Sequence, residues 1–170
     1  MEMLSLFHDE FVRSNQTMER KTKVPGDLCT LTVFGCIFCG DKMLIQQRQS
    51  TKAGWPSMWD VSSGGATASG ETSLQAIVRE TREELGISLD PECFVKIFSI
   101  YHDNHIHDIY TAVVDSENWN FNVPNDEVMN IQWASEQEIF DMINDGIFIP
   151  VYKEFIGLLF RMKTKKGIIV

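Results

Sequence analysis

The sequence predicts an α/β fold in which a mixed β-sheet is covered by helices. Two adjoining segments, residues 29–38 and 42–48, are rich in β-branched and aromatic residues and flank a short turn, which is typical of a strand hairpin. Residues 72–85 instead carry apolar side chains at helical spacing. Further hairpin-linked strands and two helices follow, and this irregular alternation indicates a mixed sheet.

Size and composition fit one compact domain. The 170 residues are 44% hydrophobic and 23% charged, with a mean hydropathy of −0.12. The net charge of −9 argues against a broad basic face for a nucleic-acid polymer, and an acidic protein that handles phosphates would need a cation as mediator. The opening residues lack a secretory signal pattern, and no apolar run reaches the roughly 20 residues of a membrane span. We therefore expect a cytoplasmic protein that does not bind a nucleic-acid polymer.

The first 65 residues divide into a weakly patterned start and a strand-rich part. We expect residues 1–27 to form an arm or short hairpin and residues 28–170 to form a single domain. The stretch 60–63 is expected to be extended, with Gly64 and Gly65 breaking the strand.

The periodicity changes after the glycine pair. A helix over residues 72–85 should bury one stripe and end at Gly86 in a left-handed cap. The stripe consists of Leu74, Ile77, Val78, Thr81 and Leu85. Strands at 94–101 and 106–114 should turn near Asp103-Asn104, and a short strand should follow at 128–133. Ser135 and Glu138 have capping-box spacing before a helix at 136–145, and a last helix covers 151–162, as core or as a homodimer contact.

Three glutamates share one flank of the predicted helix. At 100° per residue, Glu80, Glu83 and Glu84 lie within about 100° of one another, beside the buried stripe. Their mutual repulsion can be offset in part by Arg79, which is placed to pair with Glu83 at i+4, and more completely by a divalent cation. Clustered carboxylate oxygens suit Mg²⁺, which also takes ligands from substrate phosphates.

The glycines before the helix supply a complementary backbone surface. Gly64 and Gly65 can adopt positive φ and let the backbone approach a metal or phosphate closely. The helix N-terminus that follows favours anions, and Glu71 is expected to have a capping role there.

Residues 65–87 resemble the Nudix box, G-x5-E-x7-R-E-U-x-E-E-x-G-U, where U is a bulky aliphatic residue. The matching polar and glycine positions are Gly65, Glu71, Arg79, Glu80, Glu83, Glu84 and Gly86, and Ile87 is the final aliphatic. Thr81 departs from the pattern at the first U position, and its hydroxyl is expected to bond back to the Ile77 carbonyl.

The resemblance implies a Nudix-type α/β/α sandwich that hydrolyses the diphosphate (pyrophosphate) bond of a nucleoside diphosphate derivative with Mg²⁺ or Mn²⁺. It implies that Glu80 and Glu84 are metal ligands, and that Glu83 is a further ligand or orients the catalytic water. The carbonyl of Gly64 is a further candidate ligand. A later acid often assists in this family, and Glu127 is the candidate here, so the catalytic candidates are Glu80, Glu83 and Glu127.

The segment before the box resembles a different branch of the superfamily. Arg48-x3-Lys52-x3-Pro56-x2-Trp59 is similar to the corresponding part of isopentenyl-diphosphate isomerase, which uses a cysteine and a histidine just after that tryptophan. Residues 60–66 contain neither, so isomerase activity has no evident machinery. We interpret Arg48 and Lys52 as phosphate contacts, Trp59 as a packing or substrate-stacking residue, with Trp55 beside it, and Gly65 as a backbone contact to substrate.

Two alternatives to hydrolysis stay open: an isomerase-like enzyme, and a catalytically inactive ligand-binding regulator on the same fold. Cys36-x-x-Cys39 has redox or zinc spacing, but a separation of three in a strand puts the thiols on opposite faces. We therefore expect the four cysteines to be reduced and these two to be buried and inert. The cluster His102, His105 and His107 is interpreted as a polar hairpin turn, with substrate contact as the alternative.

Overall fold

The computed structural model describes residues 2–8, 12–20 and 22–164. Its strands are β1 (Met3–Phe7), β2 (Arg13–Glu19), β3 (Cys29–Cys39), β4 (Lys42–Arg48), β5 (Trp59–Asp60), β6 (Ser63–Ala66), β7 (Val95–His102), β8 (His105–Val113) and β9 (Val128–Ser135). Its helices are α1 (Ser73–Leu85), α2 (Glu136–Asn144) and α3 (Lys153–Met162), and a 3₁₀ turn covers Pro91–Cys93.

The eleven-residue strand β3 organises the sheet. β8 runs parallel to it over nine paired positions, from Thr30 to Phe38. β1, β6 and β4 pair antiparallel with successive parts of β3, so they share its other edge. β7 extends the sheet beyond β8, while β9 and β5 pair with β4. The predicted mixed sheet is confirmed.

Successive side chains of β3 and β4 point to opposite faces of the sheet, and the core therefore has two layers. Val33, Ile37 and Leu44 pack on the face that α1 covers. Cys36 and Met43 point the other way, into the layer that α2 and α3 cover. The resulting α/β/α sandwich has α3 in its core, where Ile156, Leu159 and Met162 are buried.

The N-terminal segment pairs with the sheet as a hairpin. β1 and β2 are antiparallel, and Leu6 and Phe7 of β1 are in register with Thr30 and Cys29 of β3. Leu4, Leu6, Met18 and Leu28 form a small buried cluster beneath it. The division of the chain into residues 1–27 and 28–170 stays a prediction.

The predicted break at Gly64-Gly65 is wrong. Both glycines lie inside β6, in register with Phe34 and Val33. Neither adopts positive φ, so the absent side chain, and not backbone freedom, is what this strand requires.

Three smaller expectations about α1 also fail. Leu74 is 36% exposed, because the helix turns Ala76, Glu80 and Glu84 toward the sheet. The hydroxyl of Thr81 bonds to that of Ser63 at 2.9 Å, in place of the expected carbonyl. The helix is capped by Thr72, while Glu71 pairs with Arg79.

Among the described helices, none combines the length and the apolar character of a membrane span.

Candidate active site

Helix α1 carries the glutamates, and its two ends fix their positions. The hydroxyl of Thr72 accepts a hydrogen bond from the Gln75 N–H, and the Gln75 side chain accepts one from the Thr72 N–H. Gly86 ends the helix in the left-handed conformation, as predicted, with φ of 74°. Glu80 and Glu84 therefore lie on the inner face, 7% and 2% exposed.

Glu84 is held against β6, the strand that contains Gly64 and Gly65. Its Oε2 accepts hydrogen bonds from the Gly64 N–H and from Nε2 of Gln46, both at 2.9 Å. Burial raises the pKa of Glu84 to about 8, although both hydrogen bonds favour the ionised form. The carboxyl group is thus fixed in position but poorly stabilised as an anion.

Glu80 lies where a side chain on Gly65 would be. A Cβ built on Gly65 would meet Oε1, Cδ and Oε2 of Glu80 at 2.2, 2.3 and 2.6 Å. Burial also raises the pKa of Glu80, an effect that the hydrogen bond from Arg79 opposes. Two buried carboxylates therefore stand side by side against the backbone of β6.

Arg79 connects the acids of the site. Its Nε and Nη2 donate to Glu71, and Nη1 donates to Glu80 at 2.7 Å and to Glu83 at 3.0 Å, as the i+4 spacing predicts. Nη2 also donates to the Ala66 carbonyl, so all five guanidinium N–H groups are used. The hydrogen bond to Glu71 is the main reason that the pKa of Arg79 is raised.

A cleft opens beside these residues. A cavity of about 400 Å³ is lined by Glu2, Glu80, Glu83 and Glu127 and by Arg20, Lys52 and Arg79. Four carboxylates thus face three cations, and each cation is already paired with an acid. An anionic substrate would be repelled there unless a further cation accompanied it.

A sequence model of the NUDIX domain matches residues 30–155, which include β6, the glutamates of α1 and most of the sheet. The chain belongs to the Nudix family. The predicted enzyme class, a Nudix-type hydrolase of acid anhydrides, is confirmed at the level of the family.

A curated relative agrees with this assignment, and solved structures share the fold. An uncharacterized Nudix hydrolase of Listeria innocua is 33% identical over 162 residues, covering 91% of this chain and 94% of the relative. DR0079 from Deinococcus radiodurans has the same fold, with a TM-score of 0.74, 20% identity and coverage of 96% and 100%. A bifunctional NMN adenylyltransferase/ADP ribose pyrophosphatase from Francisella tularensis, complexed with AMP and a manganese ion, superposes with a TM-score of 0.61, 23% identity and coverage of 79% and 42%.

The similarity to the isomerase branch is partial. An isopentenyl-diphosphate Delta-isomerase of Cutibacterium acnes is 29% identical over 123 residues, which cover 64% of this chain and 62% of the relative. The isomerases have a cysteine just after the tryptophan that corresponds to Trp59, and this Nudix protein has Ser62 in that segment. The Ser62 hydroxyl donates to the Leu44 carbonyl and accepts from the Ile37 N–H, so both hydrogen bonds lie within the buried core. Ser63 is bonded to Thr81. Neither serine is placed to act as an acid.

The donor set of the Nudix site fits a hard divalent cation. Glu80 and Glu84 supply carboxylate oxygens, and a cation beside them would stabilise ionised forms that burial disfavours. Within the described residues, no three His, Cys, Asp or Glu side chains form a ready metal cluster. Arg79 binds Glu80 and Glu83, while Glu84 faces Gln46, so a cation at Glu80 would compete with Arg79.

The structure brings Lys52 and Glu127 to the same cleft, where they form an ion pair. Arg48 is held by two protein contacts, and its predicted contact with phosphate stays a prediction. It bonds to buried Asp60 at 3.0 Å and to the Gly54 carbonyl at 2.9 Å, which fixes the loop after β4. Burial raises the pKa of Asp60, and Arg48 opposes that effect. Arg48 also borders the cleft.

Trp59 is directed to the core. It pairs with Gln47 of β4 and packs against the buried cluster that contains Phe148. Trp55 instead borders a central cavity of about 510 Å³ that Gly64 and Gly65 also line; it is 52% exposed and has φ of 51°. The stacking role predicted for Trp59 therefore has its better candidate in Trp55.

The histidines lie at the β7–β8 turn and along β8, and the cysteine pair lies at the end of β3. His102 and His105 flank the predicted turn, and Nδ1 of His105 lies 2.8 Å from the Thr30 hydroxyl. Cys36 is buried and Cys39 half-buried, and both are free thiols. Burial raises the pKa of Cys36, which disfavours a reactive thiolate.

Two residues at the site had not been predicted. Gln46 is buried on the face of β4 that α1 covers, and a polar residue at such a position was the signal available in the sequence. Arg20 lines the cleft from the N-terminal hairpin, 44 positions before Gly64, and no local pattern indicates it.

Proposed function

We propose that this Nudix hydrolase cleaves the diphosphate bond of a small phosphorylated metabolite in a reaction that depends on Mg²⁺ or Mn²⁺. The observation that carries the proposal is the pair of buried carboxylates, Glu80 and Glu84, packed on the backbone of Gly64 and Gly65. Two buried carboxylates on one helix face, beside a cavity lined by four acids and three cations, favour a hard cation and a phosphate-bearing ligand.

In this proposal, Glu80 and Glu84 hold the cation, with Glu83 and the Gly64 carbonyl as further ligands. The bound cation supplies charge neutralisation of the diphosphate and a lowered pKa for an attacking water. Gln46 and the Gly64 N–H orient Glu84 through their hydrogen bonds to Oε2. Arg79 has no free N–H group for the substrate and therefore acts by positioning Glu80 and Glu83.

The proton of the attacking water would pass to a carboxylate beside the cation. Glu127 is the candidate general base, because it lines the same cavity as Glu80 and lies on the loop before β9. An ion pair with Lys52 holds its side chain there. Glu83, the exposed acid of the helix, is the alternative base.

A second cavity, which we call the apolar chamber, is available for the group attached to the diphosphate. This cavity of about 290 Å³ shares Phe34, Asp60, Val61 and Ile149 with the central part of the cleft. Its far end is lined by His107 and Phe155, among other largely apolar side chains. An uncharged ring would gain from burial there, which supports a nucleoside diphosphate derivative as substrate.

A substrate screen tests the proposal. Nucleotide sugars, dinucleoside polyphosphates, ADP-ribose, NADH, coenzyme A and (d)NTPs would be incubated with and without Mg²⁺ and followed by ³¹P NMR. We expect at least one compound to yield new phosphomonoester signals that disappear with EDTA. Isopentenyl diphosphate belongs in the panel, because migration of its double bond with the diphosphate intact would instead support the isomerase alternative. Saturable binding of a panel compound without turnover would support a regulator.

The predicted cytoplasmic location and the homodimer contact also remain proposals. The core position of α3 removes the buried side of that helix as a dimer surface.

A further inference from the structure

The N-terminal hairpin lies outside the part of the chain that the NUDIX domain matches, yet it is fixed against the active site. The Ser69 N–H donates to the Met3 carbonyl at 2.7 Å, and the Gly70 N–H donates to the Ser5 hydroxyl at 3.2 Å. Leu4 also forms a bridge with Ala68. The hairpin thereby packs on the loop that joins β6 to α1.

This packing places Arg20, just after β2, at the centre of the cleft. Arg20 and Lys52 are the two residues that line three adjoining cavities, of about 400, 510 and 600 Å³. The first of these cavities contains Glu80 and Gly65, the second opens to the apolar chamber, and the third lies along the loop at Gly54. A ligand that joins the acidic end to the chamber would pass both cations.

Both cations are held by carboxylates at the border of the cleft. Nη1 of Arg20 donates to Oε2 of Glu2 at 2.6 Å, while Lys52 pairs with Glu127. The side chains of Glu2 and Glu127 are 36% and 48% exposed. Ion pairs with this much solvent contact contribute little to stability, so a phosphate that arrives with its metal can displace them.

Among the guanidinium groups of the cleft, Arg20 has the most free donor capacity. All five N–H groups of Arg79 are used, and Arg48 is committed to Asp60 and Gly54. Within the described residues, the guanidinium of Arg20 makes one side-chain hydrogen bond, to Glu2. A guanidinium with free N–H groups binds phosphate oxygens in a bidentate manner.

We propose that Arg20 binds the substrate's diphosphate from the N-terminal hairpin, opposite Lys52, by exchanging Glu2 for phosphate oxygens. The hairpin is then one wall of the active site and determines how the anionic part of the substrate is held. The same exchange at Lys52 releases Glu127 beside the substrate, which is the state that a general base requires. This inference rests on the proposed function.

Binding of the non-hydrolysable probe imidodiphosphate, with saturating Mg²⁺, tests the inference by calorimetry. We expect Arg20→Gln to weaken binding about ten- to hundredfold, the usual range for a lost charged hydrogen bond, and Arg20→Lys to recover part of the loss. Lys23→Gln is the matched control. It removes an exposed positive charge three positions away and outside the cleft, and it should bind the probe like wild type. Equal affinity in Arg20→Gln and Lys23→Gln would overturn the proposal.

The exchange itself has a separate signature. Glu2→Gln should strengthen probe binding several-fold, because it frees Arg20, and it should have no such effect when Arg20 is already glutamine. With a hydrolysed substrate, Arg20→Gln should raise KM while kcat stays within about threefold, as expected for uniform binding. A fall in kcat at unchanged KM would contradict the binding role.

These outcomes differ from a failure of the proposed function. In that case the wild-type protein would show no Mg²⁺-dependent hydrolysis of any diphosphate, whatever stands at position 20.

Discussion

The side chain of Glu80 fills the space that a side chain on Gly65 would need. The carboxylate of Glu80 lies where the β-carbon of any other residue at position 65 would be, with the shortest separation 2.2 Å. The clash involves a carboxylate that is itself bonded to Arg79 at 2.7 Å, so moving it also disturbs the guanidinium. The glycine is therefore tied to the position of one acid, and through Arg79 to the positions of Glu71 and Glu83.

This relationship predicts that Gly65→Ala lowers activity more than stability. The added methyl group should displace the Glu80 carboxylate and reduce kcat/KM by about a hundredfold, the scale on which small misplacements of catalytic groups act. Steady-state assays and thermal unfolding would separate the two effects. Gly54→Ala is the control, since a β-carbon there meets nothing within 4 Å and the residue does not have positive φ. Equal activity of the two variants would contradict the prediction.

Replacement of Glu84 should abolish turnover while the fold stays intact. Glu84→Gln keeps the shape of the side chain but removes the negative charge that we assign to metal binding. We expect kcat/KM to fall by about three or more orders of magnitude, the scale of a lost essential group. Circular dichroism would confirm folding. Near-normal activity of this variant in Mg²⁺ would show that the role assigned to Glu84 is wrong.

The raised pKa of Glu84 makes metal-free stability depend on pH. The folded-state pKa of Glu84 is about 8 against an ordinary value of 4.5 for a glutamate, so between these values the folded chain binds more protons than the unfolded chain. The free energy of unfolding should then fall as pH rises from about 4.5 to 8, by up to about 1.4 kcal/mol per pH unit from this group. Urea unfolding in EDTA would measure the slope. Glu84→Gln should flatten it, and added Mg²⁺ should restore wild-type stability at pH 8. Identical slopes in both proteins would exclude Glu84 as the source.

Lys52 and Glu127 should affect different kinetic constants although they form one ion pair. Lys52→Gln should raise KM about tenfold, because a phosphate contact is lost. Glu127→Gln should instead lower kcat about a hundredfold with little change in KM, as expected for a general base. If both variants changed KM alone, Glu127 would be a counter-ion of Lys52, and Glu83 would become the base to test.

Substitution of Trp59 should lower stability, whereas substitution of Trp55 should weaken substrate binding. Trp59→Ala removes packing against the Phe148 cluster and should cost on the order of 3 kcal/mol of unfolding free energy. Trp55→Ala removes a half-exposed ring at the cavity and should leave stability within about 0.5 kcal/mol while raising KM. Denaturant unfolding and steady-state kinetics decide between them. The reverse assignment would return the stacking role to Trp59.

Local signals predicted the framework well. The strand pair β3 and β4, helix α1 with its Gly86 cap, and the capping box at Ser135 all follow from short-range chemistry: β-branched runs, helical periodicity and side-chain oxygens that bond nearby N–H groups. The spacing of the acids on α1 likewise determined that Glu80 and Glu84 would share one side of the helix.

Long-range packing decided what the local signals did not. Leu74 was predicted to be buried, but the sheet accepts Glu80 and Glu84 in the layer beneath the helix, which rotates Leu74 outward. Arg20 reaches the cleft only because β1 pairs with β3 and packs on the loop between β6 and α1. Both contacts join parts of the chain that are far apart in sequence. A single sequence has no period or spacing that encodes such contacts.

Electron paramagnetic resonance of Mn²⁺ tests the central claim most directly. The signal of free Mn²⁺ would be followed while wild-type protein and the Glu80→Gln/Glu84→Gln double variant are titrated in the presence of imidodiphosphate. The account predicts saturable loss of the free-ion signal with the wild-type protein and little loss with the variant, both proteins being folded. Equal Mn²⁺ binding by the two proteins would mean that the cation site lies elsewhere.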